Sequence, residues 1–268
     1  QQKHIIGVQA NLWTEYVTSY RHVEYMELPR MAALAEVQWC RPENKDYADF
    51  LQRLIPMTDM YDVKGYNYAR HIFDVTATFT TDTLENAVIA TLSTIDDSPI
   101  YYTLDGEEPT SSSMRYKSPI KLTQNCILKA KAIGKRGATR TFIEEVSYNK
   151  ATAKPITFLQ PAYSSYAYAG APTLVDGLKG NHNYRTGRWV GVANNDFEVL
   201  IDLQKAMEIS SVSLSTCVEK GDWVFDARGF TVSVSTDGES YIDVFDENYP
   251  AMKADDANKI YNHTLTFA

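Results

Sequence analysis

The residues most suited to chemistry are Trp13 and Glu15, which lie two positions apart after a short apolar run, residues 5–10. Such a run is typical of a strand that is buried on both faces. If the strand geometry persists, the two side chains face the same way. An indole beside a carboxylate suits a sugar ring, because the indole stacks on C–H groups and the carboxylate accepts hydrogen bonds from hydroxyls. The alternative is a packing tryptophan followed by a solvated loop acid.

The composition restricts the classes of protein in which this pair could act. The 268 residues carry 26 lysines and arginines against 34 aspartates and glutamates, a net charge of −8. This balance disfavours a nucleic-acid partner, which would want a basic face, and leaves a carbohydrate or another neutral ligand open. No stretch approaches the roughly 20 apolar residues of a membrane span. Three widely spaced cysteines without a CxxC motif argue against a disulfide framework and against a zinc site.

The elements that would position this pair are a strand and two helices. Apolar residues within 23–39 recur at helical spacing, and the main helix is predicted to start around Pro29, where a missing N–H is harmless, and to stop before Pro42. A second helix is predicted over residues 47–61, with a kink before Pro56. The carboxyl end of a parallel strand is where α/β barrels keep their sites.

From residue 72 the pattern changes to the period of two that is typical of strands. Strands are predicted over residues 73–77, 87–92, 100–104 and 126–133. The third runs into Asp105-Gly106, which is a hairpin signal. Four to seven short strands separated by turns imply a small β-sandwich over residues 72–150.

After a polar connector, residues 150–155, the strand pattern resumes. Strands are predicted over residues 197–203, 209–215 and 230–235. The last of these runs into a second hairpin signal, Asp237-Gly238. A loop-rich, aromatic-rich stretch precedes these strands, so a second and larger β-sandwich of jelly-roll type is predicted.

Three stretches are distinctive: GVQANLWTE at 7–15, LPRMAALAEVQW at 28–39 and a tail that runs from FLQRL at 50–54 to GYNYA at 65–69. With them, residues 5–70 resemble the end of the catalytic barrel of glycoside hydrolase family 20, the β-N-acetylhexosaminidases. The resemblance implies that residues 5–40 are the eighth barrel strand and helix. In this family the tryptophan that matches Trp13 lines the subsite for the N-acetylhexosamine, and the glutamate that matches Glu15 binds the outer hydroxyls O4 and O6.

The same resemblance implies a catalytic pair that the sequence does not supply. In the family, an adjacent Asp-Glu pair on an earlier barrel strand provides the acid and orients the acetamido group, whose oxygen attacks the anomeric carbon. The one Asp-Glu dipeptide here, Asp246-Glu247, lies far towards the C-terminus. We therefore expect a C-terminal fragment whose N-terminal part is missing, which hydrolyses nothing alone and in which Trp13 is more exposed than in an intact site.

Two further stretches resemble known domains. With SPIYYTLDGEEPT at 98–110, YKSPI at 116–120 and LKAKA at 128–132, residues 98–133 look like the small C-terminal sandwich of bacterial chitobiases and hexosaminidases. With LVDG at 174–177, RWVG at 188–191, FEVLIDL at 197–203 and FTVSVSTDG at 230–238, residues 155–268 are similar to the factor 5/8 C-type (discoidin) domain, many of which are carbohydrate-binding modules of family 32. Many of these hold calcium in the loop that matches residues 176–186, so Asp176 is a candidate ligand of a structural Ca²⁺. Because the family usually continues past Phe267, the domain is expected to be cut short.

Sugar binding by the discoidin-like domain would use aromatic faces and Arg or His donors in loops at one end of the sandwich. The candidates for this second carbohydrate site are His182, Tyr184, Arg185 and Trp223. The alternative is that Trp189 and Trp223 belong to the core and that His182 is an ordinary loop residue.

These inferences combine into one predicted architecture and two predicted functions. The fold is multidomain: a partial (β/α)8 barrel remnant over residues 1–71, a small immunoglobulin-like β-sandwich over 72–150 and a jelly-roll (galactose-binding-like) β-sandwich over 151–268. The first function is that of the C-terminal part of an exported, periplasmic or cell-surface exo-β-N-acetylhexosaminidase that acts on glycans without a cofactor. The second is that of a non-catalytic carbohydrate-binding protein.

Overall fold

The α-helices of the described residues lie in the first part of the chain, and the regular elements of the rest are mainly β-strands. The computed structural model describes His4 and residues 6–267. The chain divides into two compact units. The first contains the chain up to Thr78 with Thr91–Pro119 and Ile127–Ile143, and the second contains Phe79–Ala90, Ile120–Cys126 and the chain from Glu144 onwards. Among the helices described, none combines the length and the apolar character that crossing a membrane requires.

The helical part contains α1 (Tyr20–Glu27), α2 (Arg30–Trp39) and α3 (Tyr47–Lys64). The two predicted helices are confirmed as α2 and α3, and α1 was not separated from α2 by the sequence pattern. Helix α3 begins where the Oδ1 atom of Asp46 accepts the Asp49 N–H at 3.0 Å. It continues through Pro56 and ends at Gly65, which has the left-handed φ of 71° that favours glycine.

The strand predicted over residues 5–10 is wrong for the residues that can be checked. Ile5 lies outside the described residues, and residues 6–14 form no regular secondary structure. Ile6 and Val8 are exposed. A buried strand needs neighbours for its backbone N–H and C=O groups, and no strand of the described part of the chain pairs with this segment.

Two sheets follow the helices. A three-stranded sheet has the order β1 (Thr76–Asp82), β2 (Ala87–Ser93) and β5 (Ile120–Leu122). A five-stranded sheet contains β3 (Ile100–Thr103), β4 (Met114–Arg115), β6 (Cys126–Gly134), β7 (Gly137–Ala138) and β8 (Phe142–Val146), in the order β4-β3-β6-β7 with β8 also paired to β6.

The period-two pattern located most of these strands. In β6 the buried residues are Leu128, Ala130 and Ala132, so the predicted alternation is confirmed. The strand predicted over residues 73–77 is displaced, because a 3-10 turn occupies Arg70–Phe73 and β1 begins at Thr76. The Asp105-Gly106 hairpin is also wrong as a tight turn, since the strand that follows β3 in the chain begins at Met114.

The first unit contains a small aromatic core to which the last turn of α3 contributes. Tyr61, Tyr68 and Phe73 form a buried cluster. The guanidinium of Arg136, between β6 and β7, lies 4.3 Å from the centre of the Phe73 ring and pairs with Asp62 at 2.8 Å. This arginine therefore ties the end of α3 to the β6–β7 turn.

The C-terminal region contains three antiparallel pairs of strands. These are β9 (Ile156–Phe158) with β10 (Val199–Ile201), β11 (Ser211–Cys217) with β14 (Ile260–Thr266), and β12 (Gly229–Val234) with β13 (Ile242–Asn248). The second predicted hairpin is confirmed, because Gly238 has a φ of 77° between β12 and β13. Strands β13 and β14 were not predicted.

The middle of the connector over residues 150–155 is buried in spite of the connector's polar composition. Thr152, Ala153 and Lys154 are 1%, 0% and 9% exposed. The Ala153 N–H donates to the Val175 carbonyl at 2.8 Å. The segment is polar, as predicted, but it also packs inside the protein and hydrogen-bonds to a distant part of the chain.

Candidate carbohydrate-binding sites

Trp13 and Glu15 lie on an exposed, irregular part of the chain. Trp13 is 74% exposed, and Glu15 begins a turn and is also exposed. The Val17 N–H closes this turn on the Thr14 carbonyl at 3.0 Å. Because no strand runs through these residues, the argument that the two side chains share a strand face does not apply. The expectation that Trp13 is more exposed than in an intact site, and the binding role of the pair, both stay predictions.

Tyr184 and Arg185, two of the residues predicted for the second site, meet on one aspartate. The Tyr184 hydroxyl donates to the Oδ2 atom of Asp222 at 2.8 Å, and the Nη2 atom of Arg185 donates to the same oxygen at 2.9 Å. The Arg185 guanidinium also lies 4.5 Å from the centre of the Tyr184 ring. A 3-10 turn over Tyr184–Thr186, started by the Asn183 side chain, holds the two residues in place.

The electrostatics of this cluster favour a charged Asp222 and a neutral Tyr184. Two effects raise the pKa of Tyr184 to about 12. Burial of the hydroxyl is the larger one, and the hydrogen bond to Asp222 adds to it. The same hydrogen bond lowers the pKa of Asp222 below its usual range. Asp222 is therefore ionised at neutral pH, and it orients a guanidinium whose side chain is 57% exposed. An exposed, fixed guanidinium can donate hydrogen bonds to hydroxyl oxygens of a sugar.

Trp223 follows Asp222 directly and presents its ring to solvent. The residue is 83% exposed and has a left-handed φ of 62°, an uncommon conformation for a bulky side chain. Its ring is edge-on to Phe225, with 6.3 Å between the ring centres, and Phe225 is 51% exposed. The alternative that Trp223 belongs to the core is therefore wrong.

His182 is exposed, two residues before Tyr184, and its backbone carbonyl faces the Sγ atom of Cys217 at 3.8 Å. Its imidazole is not part of the hydrogen bonds that join Tyr184 and Arg185 to Asp222. Sequence reasoning missed Asp222, although this residue precedes the predicted Trp223. Little in the sequence indicated its role, because its hydrogen-bond partners Tyr184 and Arg185 lie far from it along the chain.

Asp176, the predicted calcium ligand, is half-buried in the second unit. Its Oδ1 atom accepts the Leu178 N–H at 2.8 Å. Burial raises the pKa of Asp176 to about 6, and the charge of Glu144 adds to this effect although Arg188 opposes it. No group of three or more His, Cys, Asp or Glu residues within His4 and 6–267 could hold a metal ion. A cation at this loop would have to rely on Asp176 and on neutral oxygens.

Three stretches of the chain match known protein families. Residues 1–42 match the glycosyl hydrolase family 20 catalytic domain, residues 76–144 match the chitobiase/beta-hexosaminidase C-terminal domain, and residues 156–267 match the F5/8 type C domain. The chain therefore combines a part of a family 20 catalytic domain with these two further domains, and the resemblance drawn from the sequence is confirmed.

Two curated relatives carry matching names. A beta-hexosaminidase of Porphyromonas gingivalis (strain ATCC BAA-308 / W83) is 32% identical over 162 residues, which cover 58% of this chain and 21% of that protein. A beta-N-acetylhexosaminidase of Cellulomonas fimi is 39% identical over 64 residues, which cover 24% of this chain and 13% of that protein. The chain thus spans about a fifth of the first relative and less of the second.

Proposed function

We propose that this chain acts as the C-terminal part of an exo-β-N-acetylhexosaminidase, an enzyme that releases terminal N-acetylhexosamine from glycans. The observation that carries the proposal is the order of the family matches, in which a piece of a family 20 catalytic domain precedes a hexosaminidase C-terminal domain. The names of both relatives support it. At the finer level we propose a barrel remnant over residues 1–71, an immunoglobulin-like sandwich over 72–150 and a jelly roll over 151–268.

Within such an enzyme, Trp13 and Glu15 would bind the sugar rather than transfer a proton. Trp13 would stack on the C–H face of the N-acetylhexosamine, and Glu15 would accept hydrogen bonds from its O4 and O6 hydroxyls. Both residues fall within the stretch that matches the catalytic domain. In the complete enzyme, Trp13→Ala and Glu15→Gln should therefore lower kcat/KM, by about tenfold or more if each removes roughly 1.4 kcal/mol of transition-state binding.

This polypeptide alone is expected to be inactive, because its Asp-Glu dipeptide, Asp246-Glu247, lies outside the stretch that matches the catalytic domain. Asp246 and Glu247 are exposed on β13, where Asp246 accepts from Thr231 at 3.0 Å and Glu247 accepts from Tyr249 at 3.2 Å. A general acid needs a raised pKa in a site that holds the leaving group. A chromogenic N-acetylglucosaminide tests this expectation, and turnover by the purified 268-residue chain would contradict it.

A second candidate function, which is compatible with the first, is glycan binding by the F5/8 type C region. The observation that favours it is the exposed indole of Trp223, one residue after the Asp222 carboxylate that orients the Arg185 guanidinium. The indole could stack on a sugar while the guanidinium donates to its hydroxyls. This arrangement would tether the enzyme to its substrate, which we propose to be met outside the cytoplasm, in the periplasm or at the cell surface.

Glycan-array binding with two matched variants tests this second function. Trp223→Ala should reduce the affinity for any bound glycan by about fivefold, since an aromatic contact contributes roughly 1 kcal/mol. Trp39→Ala removes an indole that is 88% exposed on α2 and should leave binding unchanged. An equal loss in both variants, or no binding by the unmodified chain, would exclude this function.

For the Asp176 loop we propose a calcium ion held by one carboxylate and by backbone carbonyls. The partly buried carboxylate supports this proposal, since a divalent cation would favour its ionised form. Calcium should raise the unfolding temperature of the chain relative to EDTA, and Asp176→Asn should abolish the difference. If calcium still raises the unfolding temperature of Asp176→Asn, the ion binds elsewhere and the proposal is wrong.

A further inference from the structure

The buried connector contains a lysine whose charge is satisfied by neutral groups alone. Lys154 is 9% exposed, and its Nζ atom donates to the Oδ1 atom of Asn86 at 2.5 Å and to the Oε1 atom of Gln204 at 3.0 Å. No carboxylate of a described residue lies within ion-pairing distance of it. A buried ammonium without a carboxylate partner is costly, so its amide acceptors must be held in position by the surrounding chain.

The two acceptors come from parts of the chain that match different families. Asn86 lies in the β1–β2 turn, within the stretch that matches the hexosaminidase C-terminal domain, and Gln204 follows β10 within the F5/8 type C stretch. Gln204 also donates through Nε2 to the Thr83 carbonyl at 2.9 Å. The β1–β2 turn, the connector and the chain after β10 therefore form a closed ring of hydrogen bonds.

Further contacts fix the same junction from other sides. The Tyr148 hydroxyl donates to the Asn86 carbonyl. The Ser147 N–H donates to the Gly177 carbonyl at 2.8 Å, and a Cβ atom on Gly177 would lie only 3.2 Å from the Ser147 carbonyl oxygen. Gly177 has a φ of 76°, so both its conformation and this close approach favour glycine.

Arg188 adds a charged contact between the same two stretches. Its Nη2 atom pairs with the Glu144 carboxylate at 2.7 Å, and its guanidinium lies 5.6 Å from the centre of the Phe79 ring. Glu144 and Phe79 come before the connector, whereas Arg188 comes after it. All these groups belong to the second compact unit, which spans both sides of the connector.

We propose that Lys154 is the centre of a clasp that joins the β1–β2 turn to the F5/8 type C region as one rigid body. The connector is then rigid and does not act as a hinge. The loops that carry Trp223 therefore keep one orientation relative to the β1–β2 turn. This inference concerns conformation and holds whether or not the region binds a glycan, so it goes beyond the function proposed above.

Hydrogen exchange of the full 268-residue chain tests the clasp with two matched variants. Lys154→Met keeps the apolar stem and removes the ammonium, whereas Lys150→Met makes the same change at an exposed connector residue that bonds the Glu208 carbonyl. Lys154→Met should speed exchange of the Ser147 and Ala153 amides and of the β1–β2 turn by about tenfold or more. Lys150→Met should leave these rates within about twofold of the unmodified chain.

Equal exchange in Lys154→Met and in the unmodified chain would overturn the proposal. If Lys154→Met does not fold, Gln204→Ala decides the question, because Gln204 is exposed and contributes both to the ammonium and to the Thr83 carbonyl. Faster exchange confined to the same amides would support the clasp. Exchange that is unchanged in Gln204→Ala would show that the ring of hydrogen bonds does not hold the junction.

Discussion

At the scale of single residues, the clearest electrostatic feature is the carboxylate of Asp176. Its pKa in the folded chain is raised to about 6 from 3.8, mainly by burial. The folded state therefore binds the proton more tightly than the unfolded state. Stability is greatest, as far as this group is concerned, below pH 3.8 and falls as the pH rises from there towards 6.

Asp176→Asn should remove this pH dependence, because the amide is neutral and its oxygen can still accept the Leu178 N–H. In EDTA, the variant should gain stability relative to the unmodified chain as the pH rises from about 4 to about 6.5, by on the order of 1–2 kcal/mol. Urea denaturation at a series of pH values measures this difference. A gap between the two proteins that does not change with pH would contradict the prediction.

The residue scale also shows what the sequence could identify and what it could not. Tyr184, Arg185 and Trp223 were selected by type and by their place in loops, which are properties that a sequence displays. Asp222 was not selected, because its importance comes from two hydrogen bonds that span 38 and 37 residues. The pairing of distant loop residues depends on the folded backbone and leaves no local pattern.

At the scale of elements, the start of α3 depends on one side chain. Asp46 accepts the Asp49 N–H, which otherwise has no partner within the helix. Asp46→Ala should lower the free energy of unfolding by about 1 kcal/mol, the usual effect of losing such a cap. Thermal unfolding measures it, and Glu43→Ala, at an exposed acid before the same helix, serves as the control. Equal destabilisation by both substitutions would argue against a capping role.

Helices and strands were predicted well where the spacing of apolar residues is set locally. They were predicted poorly where their formation depends on pairing with distant strands. The spacing of apolar residues is set by the helix itself, which is why α2 and α3 were found within a few residues. Strand β6 was found for the same reason, since its alternation reflects burial of one face. Residues 6–10 failed because an apolar run becomes a strand only when neighbouring strands supply its hydrogen bonds.

At the scale of the whole molecule, the described residues before β1 expose many large apolar side chains. Trp39 and Val63 are each 88% exposed, and Trp13, Tyr16, Tyr20 and Tyr47 are each 74% to 88% exposed. Soluble proteins rarely expose so much apolar surface without a binding partner. We therefore expect the isolated chain to associate with itself as its concentration rises.

Sedimentation at increasing protein concentration measures this association. Trp39→Gln combined with Val63→Gln should weaken it, because both changes replace exposed apolar area on the helical part. Leu84→Gln changes a side chain that is 90% exposed in the β1–β2 turn and should have no effect. A chain that stays monomeric throughout, or one that responds equally to both changes, would contradict the expectation.

The buried residues of the connector also limit where domains of such proteins can be exchanged. A chimera that exchanges the F5/8 type C region at residue 155 would separate hydrogen-bonding partners, since Lys154 would keep Asn86 and lose Gln204. The transplanted domain would lack the β1–β2 turn that it normally contacts. The part of this chain before residue 155 would keep the Lys154 ammonium without the Gln204 acceptor. A viable exchange would need to carry the β1–β2 turn and the connector along with the domain.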